Sequence, residues 1–112
     1  MTVATIEKKA RRLLQDTIEE YRWSSEQIRD SLVEAIRALN AIRPETRYVD
    51  GLLVDCIRLP DDDSATIDIE DRYEEALVYY VVHKCYLDDD SDTVNATLSA
   101  DYLSKFNVKA QL

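Results

Sequence analysis

A chain with a single glycine, Gly51, and two prolines, Pro44 and Pro60, has few places to turn sharply. Glycine takes left-handed backbone conformations without steric cost, and β-sandwiches and barrels need such residues at many corners. Folds of that kind are excluded by punctuation alone. What remains is a small number of long elements joined by few turns, which points to helices. Hydrophobic residues make up 46% of the 112. That supplies one modest core and argues against global disorder, even with 33% of the residues charged.

The predicted fold class is mainly α: a four-helix bundle-like domain over residues 1–112, with a small β-hairpin insertion between helices 2 and 3. Val3, Ile6, Ala10, Leu13, Leu14, Ile18 and Tyr21 recur at spacings of three and four, which predicts a first helix from Val3 to Tyr21. Its basic residues come early and its acidic ones late, against the helix dipole. The strongest local signal follows. Ser24 and Gln27 have the spacing of a capping box, and Trp23 and Ile28 that of a hydrophobic staple. They start a second helix that runs to Ile42, with Ile28, Leu32, Ala35, Ile36 and Leu39 on one face. Pro44 ends it.

From Thr46 to Ile69 the helical period is lost. Asp50-Gly51 between Arg47–Val49 and Leu52–Ile57 predicts a hairpin. Thr66 to Ile69 is a short third strand or a connector. A third helix is expected from Ile69 to Tyr86, with Asp68 as N-cap and acidic residues in its first turns. It is apolar on two faces, so it lies at the centre or at an interface. A fourth helix starts near Asp92, capped by Asp90 or Ser91, and carries Val94, Leu98, Tyr102 and Phe106. Residues 107–112 have no cap and are expected to form a flexible tail.

The net charge is −9 and unevenly placed. Residues 1–58 balance ten basic against ten acidic groups, while residues 59–112 hold thirteen acidic and four basic ones. A sequence-reading nucleic-acid binder needs a basic footprint, so that class is excluded. No run of about 18 apolar residues exists to cross a membrane, and Met1 to Arg12 have no signal-peptide core, which predicts a cytosolic chain. Cys56 and Cys85 are then expected to be reduced, buried thiols.

Catalytic and metal-binding sets are not expected. His83 is the only imidazole, and Cys85 lies about 200° round a helix from it. A satisfied, half-exposed histidine is predicted. Asp88, Asp90 and Asp92 have the 1-3-5 spacing of a calcium loop, but Thr93 and Ser99 occupy the places that need Gly and Glu. Asp61, Asp62 and Asp63 fare no better. A phosphate-cradling loop needs several glycines. No enzyme activity, cofactor or metal is therefore expected. Adjacent Tyr79 and Tyr80 must point to different sides of a helix, and with Tyr48 they are candidate subunit-interface residues.

Arg22-Trp23-Ser24, followed by Ile28, Leu32, Ala35-Ile36, Leu39-Asn40 and Arg43-Pro44-Glu45, resembles the second helix of the small head–tail connector (adaptor, head-completion) proteins of tailed bacteriophages. The segment from Tyr73 to Val82 resembles a later part of that family, as do Asp88 to Asp92, Asn95, Tyr102 and Phe106. The likeness covers most of the chain outside residues 46–69. It implies a virion structural protein of the head–tail neck, present in the host cytoplasm during assembly. Such adaptors form a ring, commonly of twelve copies, beneath the portal protein. The ring extends the DNA channel and receives tail or stopper proteins. By the same likeness, a C-terminal segment containing Lys105, Phe106, Asn107, Val108, Lys109 and Leu112 would dock on the portal. The clusters Asp61, Asp62, Asp63 and Asp88, Asp89, Asp90 would face solvent or the channel, repelling the DNA that passes. The competing expectation is a small acidic interaction protein, a DNA-mimic inhibitor or an assembly factor.

Overall fold

Four helices carry the chain: α1 (Val3–Leu14), α2 (Ser25–Ile42), α3 (Glu74–Asp88) and α4 (Thr93–Ala110). A two-stranded antiparallel hairpin, β1 (Tyr48–Val49) and β2 (Leu52–Leu53), lies between α2 and α3, so the mainly helical class with a hairpin insertion holds. The computed structural model describes residues 1–18, 21–49, 51–54, 59–88 and 93–111.

α1 begins in a capping box: Thr5 donates its backbone N–H to Thr2 Oγ1 at 3.1 Å, and Thr2 donates its own to Thr5 Oγ1 at 3.0 Å. It buries Val3, Ile6, Ala10 and Leu14. The expected extension to Tyr21 does not occur. Gln15 turns left-handed at φ 57° and ends the helix after Leu14. This is an unfavourable conformation for a residue with a side chain, and tertiary hydrogen bonds hold it. Asp16 donates its N–H to Arg11 O at 2.9 Å, while its carboxylate accepts the backbone N–H of Arg22 at 2.8 Å and of Trp23 at 3.1 Å. Ile18, expected on the buried face, is 81% exposed. Early termination also removes the dipole mismatch. Arg11 and Arg12 now sit in the last turn, where cations are favoured.

α2 starts as the sequence predicts. Gln27 N–H donates to Ser24 Oγ at 3.1 Å, Ser24 N–H donates to Gln27 Oε1 at 2.8 Å, and Trp23 and Ile28 are both buried. Trp23 reaches further than a staple. Its Nε1 donates to the carbonyl of Cys85 at 3.0 Å, in the last turn of α3 where carbonyls lack helical partners, and Tyr86 meets its ring edge-on at 5.9 Å. Trp23→Phe keeps most of the apolar volume and strands that carbonyl. The expected loss is about 1–3 kcal/mol of unfolding free energy. Urea titration reads it, and a variant matching the parent would show the bond to be dispensable.

Pro44 opens a short 3-10 turn, Pro44–Arg47, that leads into the hairpin. Tyr48 pairs with Leu53 and Val49 with Leu52, and Gly51 at φ +80° makes the turn that only the lone glycine enters without strain. Arg47 extends the ladder: its carbonyl accepts Val54 N–H at 2.9 Å, and its Nε donates to Val54 O at 2.7 Å. The rest of the predicted second strand, residues 55–58, lies outside the described residues, as does Asp50. Thr66 forms an isolated antiparallel bridge with Thr2, and Ile67 N–H donates to Met1 O at 3.0 Å. Residues 66–69 therefore form a connector that ties the start of α1 down, with Ile67 and Ile69 buried as anchors.

The third helix begins later than predicted. A 3-10 turn, Asp71–Tyr73, precedes α3, and Asp68 does not cap it; Glu70 stands at the cap position, its side chain paired with Arg72 at 2.8 Å rather than with the helix backbone. Glu74 and Glu75 then fill the first α turn, where negative charge is favoured. α3 buries Ala76, Leu77, Val78, Val81, Val82, His83 and Cys85, on all sides. α1, α2 and α4 all pack against it. This surround lets a β-prone run from Leu77 to Val82 stay helical.

α4 packs chiefly on α3. It continues through Ala110, so residues 107–110 are its last turn rather than a loose tail. Ala110 is fully buried, and its carbonyl accepts Arg43 Nε at 2.8 Å; a second guanidinium nitrogen reaches Gln111 O. A cation from α2 thus supplies the cap that the sequence lacks. Leu112 and the predicted caps Asp90 and Ser91 lie outside the described residues.

Candidate functional site

The tyrosines proposed as an interface divide between two places. Tyr79 and Tyr80 project to different sides of α3, about 100° apart, and both are half-buried in its seam with α4. Tyr79 lies against Tyr102 at 5.9 Å, and Tyr102 stacks on Tyr86 at 6.2 Å. Lys105 Nζ sits over the Tyr102 ring at 4.6 Å. On the other side, Tyr80 meets His83 at 5.2 Å and Phe106 at 4.9 Å, both edge-on. These rings hold the two helices together.

Tyr79 also donates its hydroxyl to Glu75 Oε1 at 2.6 Å, and Lys109 approaches Glu75 at 3.3 Å. The Tyr79 bond, then Lys109, hold the Glu75 carboxyl below its usual range, and the same bond pushes Tyr79 up to about 12. The signs are opposite. Glu75's contribution to stability is present above the ordinary carboxylate value and is lost as pH falls through its lowered pKa. Tyr79's contribution is complete below 10.0 and is lost as pH rises toward about 12. In a tyrosinate absorbance titration, Tyr79→Phe should remove a phenol that ionises near 12, while Tyr86, raised by burial, still titrates late. Superimposable alkaline limbs would count against the bond.

Tyr48 is different. It is 57% exposed on the hairpin, beside Leu52 at 71% and Leu53 at 54%. The two leucines were read only as strand formers. Both are exposed because, among the described residues, no element packs over the two-residue strand, so alternation turns neither inward. Between the hairpin and the connector lies an open groove of about 360 Å³. Val49, Ile67, Ile69 and Tyr73 contribute apolar surface to it, and Glu45, Asp68, Glu70 and Arg72 contribute charge.

The first acidic cluster is exposed but locally engaged. Asp62 Oδ1 accepts the N–H of Ser64 at 2.9 Å and its hydroxyl at 2.7 Å, which holds the carboxyl below its usual range. Asp63 pairs with Arg29 at 2.7 Å, and Arg29 also donates to Pro60 O at 2.6 Å. Asp61 is exposed. Asp88 is exposed at the end of α3, while Asp89 and Asp90 lie outside the described residues.

The candidate C-terminal docking residues are not one surface. Phe106 is buried in the core and cannot meet a partner without α4 moving. Lys105 covers tyrosines and Lys109 faces Glu75. Asn107 and Val108 remain exposed, Val108 at 61%.

His83 is buried rather than half-exposed. Its Nδ1 lies 2.9 Å from both the carbonyl and the hydroxyl of Ser99, and the Ser99 hydroxyl donates to His83 O at 3.1 Å. The pair fastens α3 to α4 in the interior. Burial pushes the buried Cys85 thiol up to about 12, far from a reactive thiolate. Cys56 lies outside the described residues. Among the described residues, no group of three or more His, Cys, Asp or Glu side chains is placed to hold a metal ion. No helix among them is long and apolar enough to cross a membrane. Compared with known proteins, the chain matches no family model, no curated protein and no solved structure.

Proposed function

We propose that the chain is a structural protein of a tailed-phage neck. It acts as a head–tail adaptor, forming a ring of copies beneath the portal that extends the DNA channel and receives tail or stopper proteins. The observation that carries this reading is where the family-like residues lie. Trp23, Ile28, Leu32, Ala35, Ile36 and Leu39 of the α2 region, Tyr73 to Val82 in and before α3, and Phe106 of α4 build one continuous packing frame. Their pattern is thus that of a whole helical unit rather than of scattered positions. A frame alone does not specify a function, and the assembly role comes from the resemblance.

In this reading, the exposed Asn107 and Val108 near the end of α4 face the portal. The Asp61–Asp63 loop presents charge that keeps passing DNA from adhering. The competing reading, a DNA mimic, calls for acidic groups displayed in a row like phosphates. Asp62 folded onto Ser64 and Asp63 paired with Arg29 interrupt such a row. The test is to mix the purified chain with the portal of the same phage. Co-migration and rings in electron micrographs are expected, as is the chain's presence in purified virions. Its absence from virions overturns the proposal.

A further inference from the structure

We propose that a groove along α1 binds a small phosphate monoester carrying a flat ring, the chemistry of a nucleotide. Beyond the left-handed turn at Gln15, Thr17 and Tyr21 line one open space with Lys8 and Arg12 of α1, about 430 Å³ in volume. That is the size of a small-molecule site. Lys8 and Arg12 stand four residues apart on one face of the helix, both exposed. Among the described residues neither has a carboxylate partner. Lys9, on another side of α1, is paired with Glu74.

The acids beside the groove are already engaged. Glu7 Oε1 accepts Arg11 Nε at 3.1 Å and Ser25 Oγ at 2.7 Å, and Asp16 accepts Arg11 and the backbone of residues 22 and 23. Two cations are left over, which matches the roughly two negative charges of a phosphate monoester at neutral pH. The planar fork of Arg12 suits two phosphate oxygens at once, and Lys8 supplies a point charge for a third. The Thr17 and Tyr21 hydroxyls add donors. The ring of the ligand has a platform as well. The Arg11 guanidinium covers Tyr21 at 3.9 Å, yet Tyr21 remains 40% exposed and lines the groove, so aromatic surface is open for stacking. Side chains do the recognition, so none of the glycines of a phosphate-cradling loop is required. A long polyanion fits less well, because beyond the groove it meets a chain of net charge −9. The site stands independently of the ring and the portal.

Titrating the full chain with adenosine monophosphate at low salt, followed by amide chemical shifts, tests it. Saturable shifts around residues 8, 12, 17 and 21 are expected, with a Kd of roughly 1 mM or tighter that weakens as salt is added. Lys8→Ala with Arg12→Ala should weaken binding at least about tenfold, whereas Lys9→Ala should leave it within about twofold. Adenosine, which lacks the phosphate, and inorganic phosphate, which lacks the ring, should each bind at least about tenfold more weakly than the nucleotide. Circular dichroism checks that each variant is folded; if the double variant misfolds, Lys8→Gln takes its place with the same direction of change. No saturation by roughly 10 mM adenosine monophosphate overturns the proposal. So does equal binding by the parent and the double variant, an equal loss in Lys9→Ala, or adenosine or inorganic phosphate binding as tightly as the nucleotide.

Discussion

Arg11→Ala should lower unfolding free energy by about 3–5 kcal/mol, the range for breaking a buried ion pair by removing one partner. The Arg11 and Asp16 side chains are each only 7% exposed. Arg11 donates to Asp16 Oδ2 at 2.9 Å, to the carbonyl of Trp23 at 2.9 Å and to Glu7 at 2.9 Å, and lies 3.9 Å over the ring of Tyr21. Without it, Asp16 keeps two backbone donors but loses its countercharge, and the Trp23 carbonyl is stranded. The turn that brings α1 back toward α2 depends on those same atoms, so the loss also reaches the start of α2. A domain of this size has about 5–15 kcal/mol in total. The expected fall in Tm is therefore at least about 12 °C, at roughly 4 °C or more per kcal/mol. Asp16→Asn, which keeps an acceptor and drops the charge, should cost less than Asp16→Ala. A loss below about 1 kcal/mol for Arg11→Ala would put the pair in the class of solvent-screened surface bridges and refute its structural role.

Phe106→Ala should cost about 3–5 kcal/mol, from lost burial and the cavity left behind. Its side chain is 1% exposed, edge-on to Tyr80 at 4.9 Å. The effect should be local in a particular way. α4 is fastened chiefly to α3, through Phe106 and the His83–Ser99 pair. Its amides should then exchange hydrogen faster by a larger factor than those of α2. Uniform acceleration across both helices would mean that α4 is inseparable from the rest of the core. Little change in either would mean that Phe106 contributes little to holding α4 on the core.

That contrast shows where the sequence was legible. The start of α2 could be read because every atom of its signal lies within six residues: Ser24, Gln27, Trp23 and Ile28. The hairpin was legible for the same reason, since a lone glycine after Asp50 meets the one conformational demand of the turn. The central position of α3 followed from apolar residues on two of its faces, Ala76, Leu77 and Val81 on one and Val78, Val82 and Cys85 on the other. The surface roles were harder. Tyr48 was singled out, while Leu52 and Leu53 were not, because strand-forming side chains look alike whether or not a layer covers them.

The sequence by itself determined the helical class, the site and capping of α2, the central character of α3 and the placement of surplus negative charge in the second half. These follow from side-chain periodicity and local hydrogen-bonding chemistry. Tertiary structure decided where α1 stops, where α3 starts and that α4 continues to Ala110. An apolar period running to Tyr21 was overruled by Asp16 binding the backbone of residues 22 and 23. A C-terminus without a cap was completed by Arg43 from the end of α2. At the end of α4 the deciding partner comes from another element, whereas α1 closes on backbone bonds from Gln15 and Asp16 to Arg11 O, fixed by the Asp16 carboxylate on residues 22 and 23. A helix terminus is a set of unsatisfied backbone groups, and whether neighbouring backbone or a distant side chain satisfies them is set by packing, which the helical period does not carry.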